Sequence, residues 1–178
     1  MALSPPLILT LTLDERAFTF FEEKRRRHFP PERNVIPAHL TLFHRLPGEH
    51  LRKIHDDLAA CAKERPPIVL RVTGLRLLGR GVAYALGSQE LTDLRASLAS
   101  RWNEWLGPQD RQKHQPHVTV QNKVEPQEAK ALLAELEAAF EPFEVTGLGL
   151  DLWRYRGGPW DEVRSFPFAR DSSRKPQP

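Results

Sequence analysis

Leucines 7, 9, 11 and 13 alternate with Ile8, Thr10 and Thr12, the period-two pattern of a strand with one face well buried. Asp14 then offers a helix cap. The spacing Ala17, Phe18, Phe21, Arg25 predicts a helix that stops near Phe29, because Pro30-Pro31 forbids continuation. Residues 39–43 read as a second strand, closed by Pro47-Gly48. From His50 onward Leu51, Ile54, Leu58 and Cys61 recur at helical spacing until Pro66-Pro67. Residues 68–78 and 82–86, joined by Gly79-Arg80-Gly81, predict a hairpin. A helix is expected over 90–106, with Leu91, Leu94, Leu98, Trp102 and Trp105 on one side and Gly107-Pro108 beyond its end.

The order then repeats. A strand at 117–120 leads to a helix at 127–140, a strand at 143–153, a turn at Gly157-Gly158-Pro159 and a strand at 160–168. The repeat is visible in letters: His39-Leu40-Thr41-Leu42 leads to Val72-Thr73-Gly74-Leu75, and His117-Val118-Thr119-Val120 leads to Val145-Thr146-Gly147-Leu148. The histidine-to-glycine intervals are 35 and 30 residues. Two copies are too few for a solenoid, so the pattern predicts two related α+β lobes. The fold class expected is α+β, with duplicated β-α-β-hairpin units related by a pseudo-twofold, antiparallel sheets lining a central cleft and helices outside. Residues 1–170 are expected to form one bilobal domain with motif lobes around 39–86 and 117–168, followed by a disordered tail at 171–178.

A chain of 178 residues with 40% hydrophobic and 28% charged residues can bury one core. No apolar run reaches the roughly 20 residues of a membrane span. No Lys or Arg precedes the first apolar run, so a secretory signal is not expected and a cytoplasmic protein is. The single cysteine, Cys61, excludes an internal disulfide and a thiolate zinc cage. A net charge of +3 and the run Lys24-Arg25-Arg26-Arg27-His28 tilt toward anionic partners such as phosphates or RNA. The run itself reads more readily as a solvated helix face than as a binding patch.

Chemistry enters through the doubled His-x-Thr-x motif, for which the chance expectation is roughly 0.05 copies. On a strand, residues i and i+2 share a face, so His39 points with Thr41 and His117 with Thr119, away from their apolar neighbours. A pseudo-twofold would bring both pairs around one small volume. That volume suits a tetrahedral phosphate: threonine hydroxyls bind its oxygens, and one imidazole takes a proton from water while the other gives one to the departing oxygen.

These motifs, 78 residues apart, with the repeated halves and the chain length, resemble the 2H phosphoesterase superfamily, in its branch of 2′-5′ RNA ligase-like proteins and cyclic phosphodiesterases. The likeness covers residues 7–168. It implies two α/β lobes around a pseudo-twofold cleft and metal-independent opening of 2′,3′-cyclic or 2′-5′-linked phosphodiesters on RNA ends or nucleotides. It implies His39 and His117 as catalysts, with His117 the base toward water and His39 the acid toward the leaving ribose oxygen, and Thr41 and Thr119 as phosphate ligands. It also leaves room for the reverse 2′-5′ RNA ligase direction. Relatives often carry an arginine soon after the second motif, where this chain has Gln121-Asn122-Lys123; Lys123 or Arg45 is a candidate replacement.

Phe43, Trp153, Tyr155 and Trp160 are candidates to stack on a base, with hairpin and core packing the alternative for each. Arg80, Arg154 and Arg156 lie at the hairpins and either flank the cleft or are ordinary edge-strand charges. His44, His50, His55 and His114 lack a partner at the repeat position and read as surface residues. A zinc site from His114 and His117 is disfavoured, because Pro116 intervenes and His117 opens a strand. No metal, cofactor or obligate protein partner is expected, and both halves of the site lie in one chain, so a monomer is. The rival reading is a non-catalytic module that binds RNA or nucleotide phosphates in the same pocket.

Overall fold

Strand β1 (Leu7–Leu13) is buried from Leu7 through Leu11 on both faces, although its alternation predicts one. β1 is an inner strand, paired along both edges to β2 (Leu40–Leu46) and to β6 (Phe143–Arg154), and its second face is covered at Thr10 by Trp153. Even Thr10 is 2% exposed, and its hydroxyl accepts the indole N–H of Trp153 at 2.9 Å. The computed structural model describes residues 4–169; the tail at 171–178 lies outside the described residues.

Helix α1 (Glu15–His28) begins where expected, with the Asp14 carboxylate accepting the N–H of Ala17 at 2.9 Å. Its other oxygen accepts the N–H of Thr146 at 2.6 Å, which ties the helix start to β6. After β2 come α2 (Leu51–Lys63), the hairpin β3 (Ile68–Leu77) and β4 (Val82–Gly87), and α3 (Gln89–Arg101). The expected helix at 90–106 is shorter than its pattern. It ends at Arg101, turns through a 3-10 segment at Asn103–Trp105, and is followed by the one-turn helix α4 (Pro108–Arg111), started by its proline. Strand β5 (His117–Gln121), α5 (Pro126–Ala138), β6 and β7 (Asp161–Pro167) complete the chain.

All seven strands join one antiparallel α+β sheet in the order β2-β1-β6-β3-β4-β5, with β7 also on β6. The 12-residue β6 is the hinge of this order. Its first part, Phe143 to Gly147, pairs with β3; its second part lies between β1 and β7. Gly147 and Gly149 permit this fork, since a Cβ at Gly147 would stand 2.8 Å from the Leu11 side chain and one at Gly149 2.6 Å from the Phe166 carbonyl oxygen.

Each repeat runs strand, helix, hairpin, but the first strand of each pairs away from its own hairpin. β2 lies on β1, and β5 lies on β4 of the other repeat. Contiguous halves of the sequence are therefore interleaved in space. The two ends of the strand order, β2 and β5, face each other with Cα atoms within 8 Å. Both motifs are carried by these ends.

Candidate active site

His39 immediately precedes β2 and His117 opens β5. Leu40, Leu42, Val118 and Val120 are fully buried on the core face, which leaves His39, Thr41, His117 and Thr119 half-buried on the other. Each imidazole is held the same way. His39 Nδ1 donates to the Pro37 carbonyl oxygen and His117 Nδ1 donates to the Gln115 carbonyl oxygen, both at 2.8 Å. A carbonyl only accepts, so each neutral ring carries its proton on Nδ1 and keeps the Nε2 lone pair for chemistry.

Burial pushes His39 down to about 4, against the pull of the Pro37 carbonyl, and the charges of Arg25, His117 and His44 push the same way. His117 is also held below the ordinary histidine value, first by burial, then by Arg76 and His44, with Gln115 opposing. Each histidine borders its own cavity. The one beside His39, about 380 Å³, is lined by Thr12, Phe18, Val35, Asp151, Trp153 and Trp160 among others. The one beside His117, about 250 Å³, is lined by Thr41, His44, Arg76, Arg95, Lys113 and His114 among others. A larger cavity of about 790 Å³ between α2 and α3 contains no residue of either motif.

Two buried arginines hold the motif strands. Arg25 is 4% exposed; its Nε donates to Asn34 Oδ1 and to the Ile36 carbonyl at 2.8 and 2.9 Å, and its Nη1 donates to the Thr119 carbonyl at 2.8 Å. It thus joins the approach to His39 with the strand of His117. This corrects the reading of residues 24–28 as a solvated helix face at Arg25, while Arg26 and Arg27 are exposed as that reading has them. Arg95 of α3 donates to the Leu42 carbonyl at 3.2 Å and to the Asp110 carbonyl at 2.6 Å, with its guanidinium 4.3 Å from the Phe43 ring centre. Asp110 of α4, 1% exposed, accepts the backbone N–H groups of His44 and Arg45 at 2.8 and 2.9 Å. Burial would raise its carboxyl; hydrogen bonds from His44 and Arg45 outweigh that and hold it below the usual carboxylate range.

Sequence reasoning missed Arg25, Arg95, Asp110, Arg76 and Lys113, and its surface reading of two histidines is incomplete. His44 keeps an exposed side chain, as the surface reading has it, but neither it nor His114 is without partners. His44 Nδ1 lies 3.1 Å from Asp110, His114 Nε2 donates to the Thr41 carbonyl at 2.9 Å, and both line the His117 cavity. His50 stacks on Trp105 with ring centres 4.2 Å apart, and His55 packs against Phe166.

The expected base-stacking residues separate. Trp153 and Trp160 line the His39 cavity, with the Trp160 ring centre 4.7 Å from that of His39. Phe43 does not reach it: the ring is fully buried against Trp102, because β2 turns that side chain into the core. Tyr155 is 42% exposed, and Arg45 and Lys123 are exposed and line neither cavity, Lys123 in a turn with φ 66°. Arg80 is engaged with the Val124 carbonyl and Glu125, and Arg156 with Asp161. Among the described residues no three His, Cys, Asp or Glu side chains are grouped to hold a metal ion, and no helix is long and apolar enough to cross a membrane.

A family model described as the 2′-5′ RNA ligase superfamily matches residues 13–159. No curated protein matches the sequence. Among solved structures, TT0787 of Thermus thermophilus superposes with a TM-score of 0.65 at 19% identity, covering 92% of this chain and 97% of that one. A structure described as a phosphoesterase gives 0.60 at 18% identity, covering 93% and 98%. E. coli LigT complexed with 3′-AMP gives 0.55 at 19% identity, again covering 93% and 98%.

Proposed function

Because this chain belongs to the 2′-5′ RNA ligase superfamily of 2H phosphoesterases, we propose that it hydrolyses 2′,3′-cyclic or 2′-5′-linked phosphodiesters of RNA ends or nucleotides, as a monomeric enzyme of one bilobal domain. The observation that carries the reading is the matched pair of Nδ1 locks on His39 and His117, which leaves one Nε2 on each of two facing strands. Two imidazoles can supply both proton transfers of the reaction, so the mechanism calls on no metal. Thr41 and Thr119, each two residues along from its histidine, offer hydroxyls to the phosphate oxygens.

Both rings are held below the ordinary histidine value, and His39, at about 4, is the one kept unprotonated at Nε2 across the whole neutral range, which makes it the ring available as the base. His117, in its imidazolium form with a proton on Nε2 as well as on Nδ1, then gives the Nε2 proton to the leaving ribose oxygen. This reverses the division that the family resemblance implies. An activated substrate separates the two assignments: a p-nitrophenyl diester expels its anion without help, so replacing the general acid costs little while replacing the base costs the full effect.

The test is turnover of 2′,3′-cyclic nucleotides and of an RNA oligomer with a 2′,3′-cyclic end, in EDTA, with products identified by mass and phosphate position. Turnover lost in His39→Ala and in His117→Ala supports the reading. Binding without product from a folded protein favours the phosphate-binding module instead.

A further inference from the structure

The His39 cavity carries a carboxylate that the acid/base reading does not use. Asp151 lies on β6 between Leu150 and Leu152, both fully buried on the opposite face, so its side chain is directed to the face shared with the cavity. Its orientation is fixed from two sides: Thr12 Oγ1 donates to Oδ2 at 2.8 Å and Ser165 Oγ donates to Oδ1 at 2.6 Å. Asp151 takes part in none of the ion pairs of the described residues. A carboxylate oxygen accepts two hydrogen bonds, so each oxygen keeps one open acceptor position. A rigid, acceptor-only group at an aromatic-lined cavity selects its ligand by that ligand's donors.

The walls say what kind of ligand it is. Trp153 and Trp160 stand with ring centres 6.3 Å apart, and Phe18 and Val35, two of the chain's exposed large hydrophobics, complete the apolar rim. These surfaces suit a flat ring system, and the cavity's volume of about 380 Å³ admits one. Of the four common bases only guanine presents two adjacent N–H donors, N1–H and the 2-amino group, to match two acceptor oxygens. Adenine and cytosine place a lone pair beside their amino group, and uracil flanks its single N–H with carbonyls; each would set an acceptor against Asp151.

We propose that Asp151 is a specificity-determining residue that makes the His39 cavity a guanine site, so that the preferred substrates are phosphodiesters of guanosine. The proposal rests on the phosphodiesterase reading for the position of the phosphate, but ring recognition is measurable without it. The experiment titrates the full chain with guanosine, inosine, adenosine, cytidine and uridine by calorimetry, with Asp151→Asn and Trp160→Ala in parallel and circular dichroism as the check on folding. Guanosine is expected to bind at least about tenfold more tightly than uridine, with inosine, which lacks the 2-amino group, between them. Asp151→Asn should reduce that preference to about twofold or less, while Trp160→Ala weakens every nucleoside about equally. Equal affinities in the unaltered protein, a preference that survives in Asp151→Asn, or no binding of any nucleoside overturns the proposal. A guanosine preference in a protein that turns over no phosphodiester would leave it standing and remove the catalytic reading instead.

Discussion

The cavities beside His39 and His117 are entered from equivalent strands and differ in almost everything else. One is walled by Trp153, Trp160, Phe18 and Val35 with the carboxylate of Asp151; the other is lined by Arg76, Lys113, Arg95, His44 and His114, with its own carboxylate, Asp110, tied to the His44 and Arg45 N–H groups. Both histidines carry the same backbone lock at the same 2.8 Å. The repeat is thus kept in the two histidine locks and abandoned around them, which is what the proposed reaction asks for: two equivalent proton-transfer groups and a substrate whose two sides differ. An apolar cavity suits a neutral ring, and a basic one suits the negatively charged remainder of a nucleotide or RNA.

Breaking the common part should have the largest effect. His39→Ala and His117→Ala are each expected to lower kcat by about 10²- to 10⁴-fold in steady-state assays, with circular dichroism unchanged. If one variant alone loses activity, the equivalence of the two sides ends at their geometry.

The arginines that hold the two strands come next, and they test stability rather than turnover. Arg25→Met leaves the Ile36 and Thr119 carbonyls without their donor, and Arg95→Met does the same to Leu42 and Asp110. Each should cost about 2–4 kcal/mol in urea unfolding, since the bonds lost come from a buried charged donor. A loss under about 0.5 kcal/mol would mean that water replaces the guanidinium.

Acid stability distinguishes the sides more finely. His39 is near 4 in the folded protein and near the ordinary 6.5 when unfolded, so its contribution is full above 6.5 and is lost as the pH falls toward 4. The loss amounts to at most about 3 kcal/mol, and His39→Asn should remove that slope from unfolding curves measured between these values. The slope removed by His117→Asn should be smaller.

The smallest effects sharpen the contrast between ring and charge. Trp160→Ala should weaken nucleotide binding by about 1–2 kcal/mol at any salt concentration. Lys113→Ala should weaken binding of an RNA oligomer mainly at low salt and reduce the salt slope by about 0.7. Identical salt dependence in the two variants would dissolve the division of labour.

How much of this was legible in the sequence depends on whether the signal was local. The alternation around 39–42 and 117–120 specifies the motif faces by strand geometry alone, and the helices with their stops lie within a residue or two of their patterns, α3 excepted. Pairing between distant strands is not written locally, so the exchange that sets β2 on β1 and β5 on β4 was invisible. Phe43 was misread because an aromatic near a motif says nothing about which way the strand turns it. Arg25 and Arg95 left a trace: each follows a core residue by one helical turn, Phe21 and Leu91, and so sits on the buried stripe of its helix. A lone arginine on such a stripe needs buried acceptors, here the carbonyls of the opposing motif strand. Asp110 left none, because a one-turn helix has no periodicity to read.

The central claim is that His39 and His117 act as one acid/base pair, and a double-mutant cycle on kcat for a 2′,3′-cyclic nucleotide in EDTA tests it most directly. Groups that act as a unit give a double variant, His39→Ala with His117→Ala, that is scarcely slower than either single one. Single losses that multiply in the double variant, or turnover that persists without either ring, would contradict it.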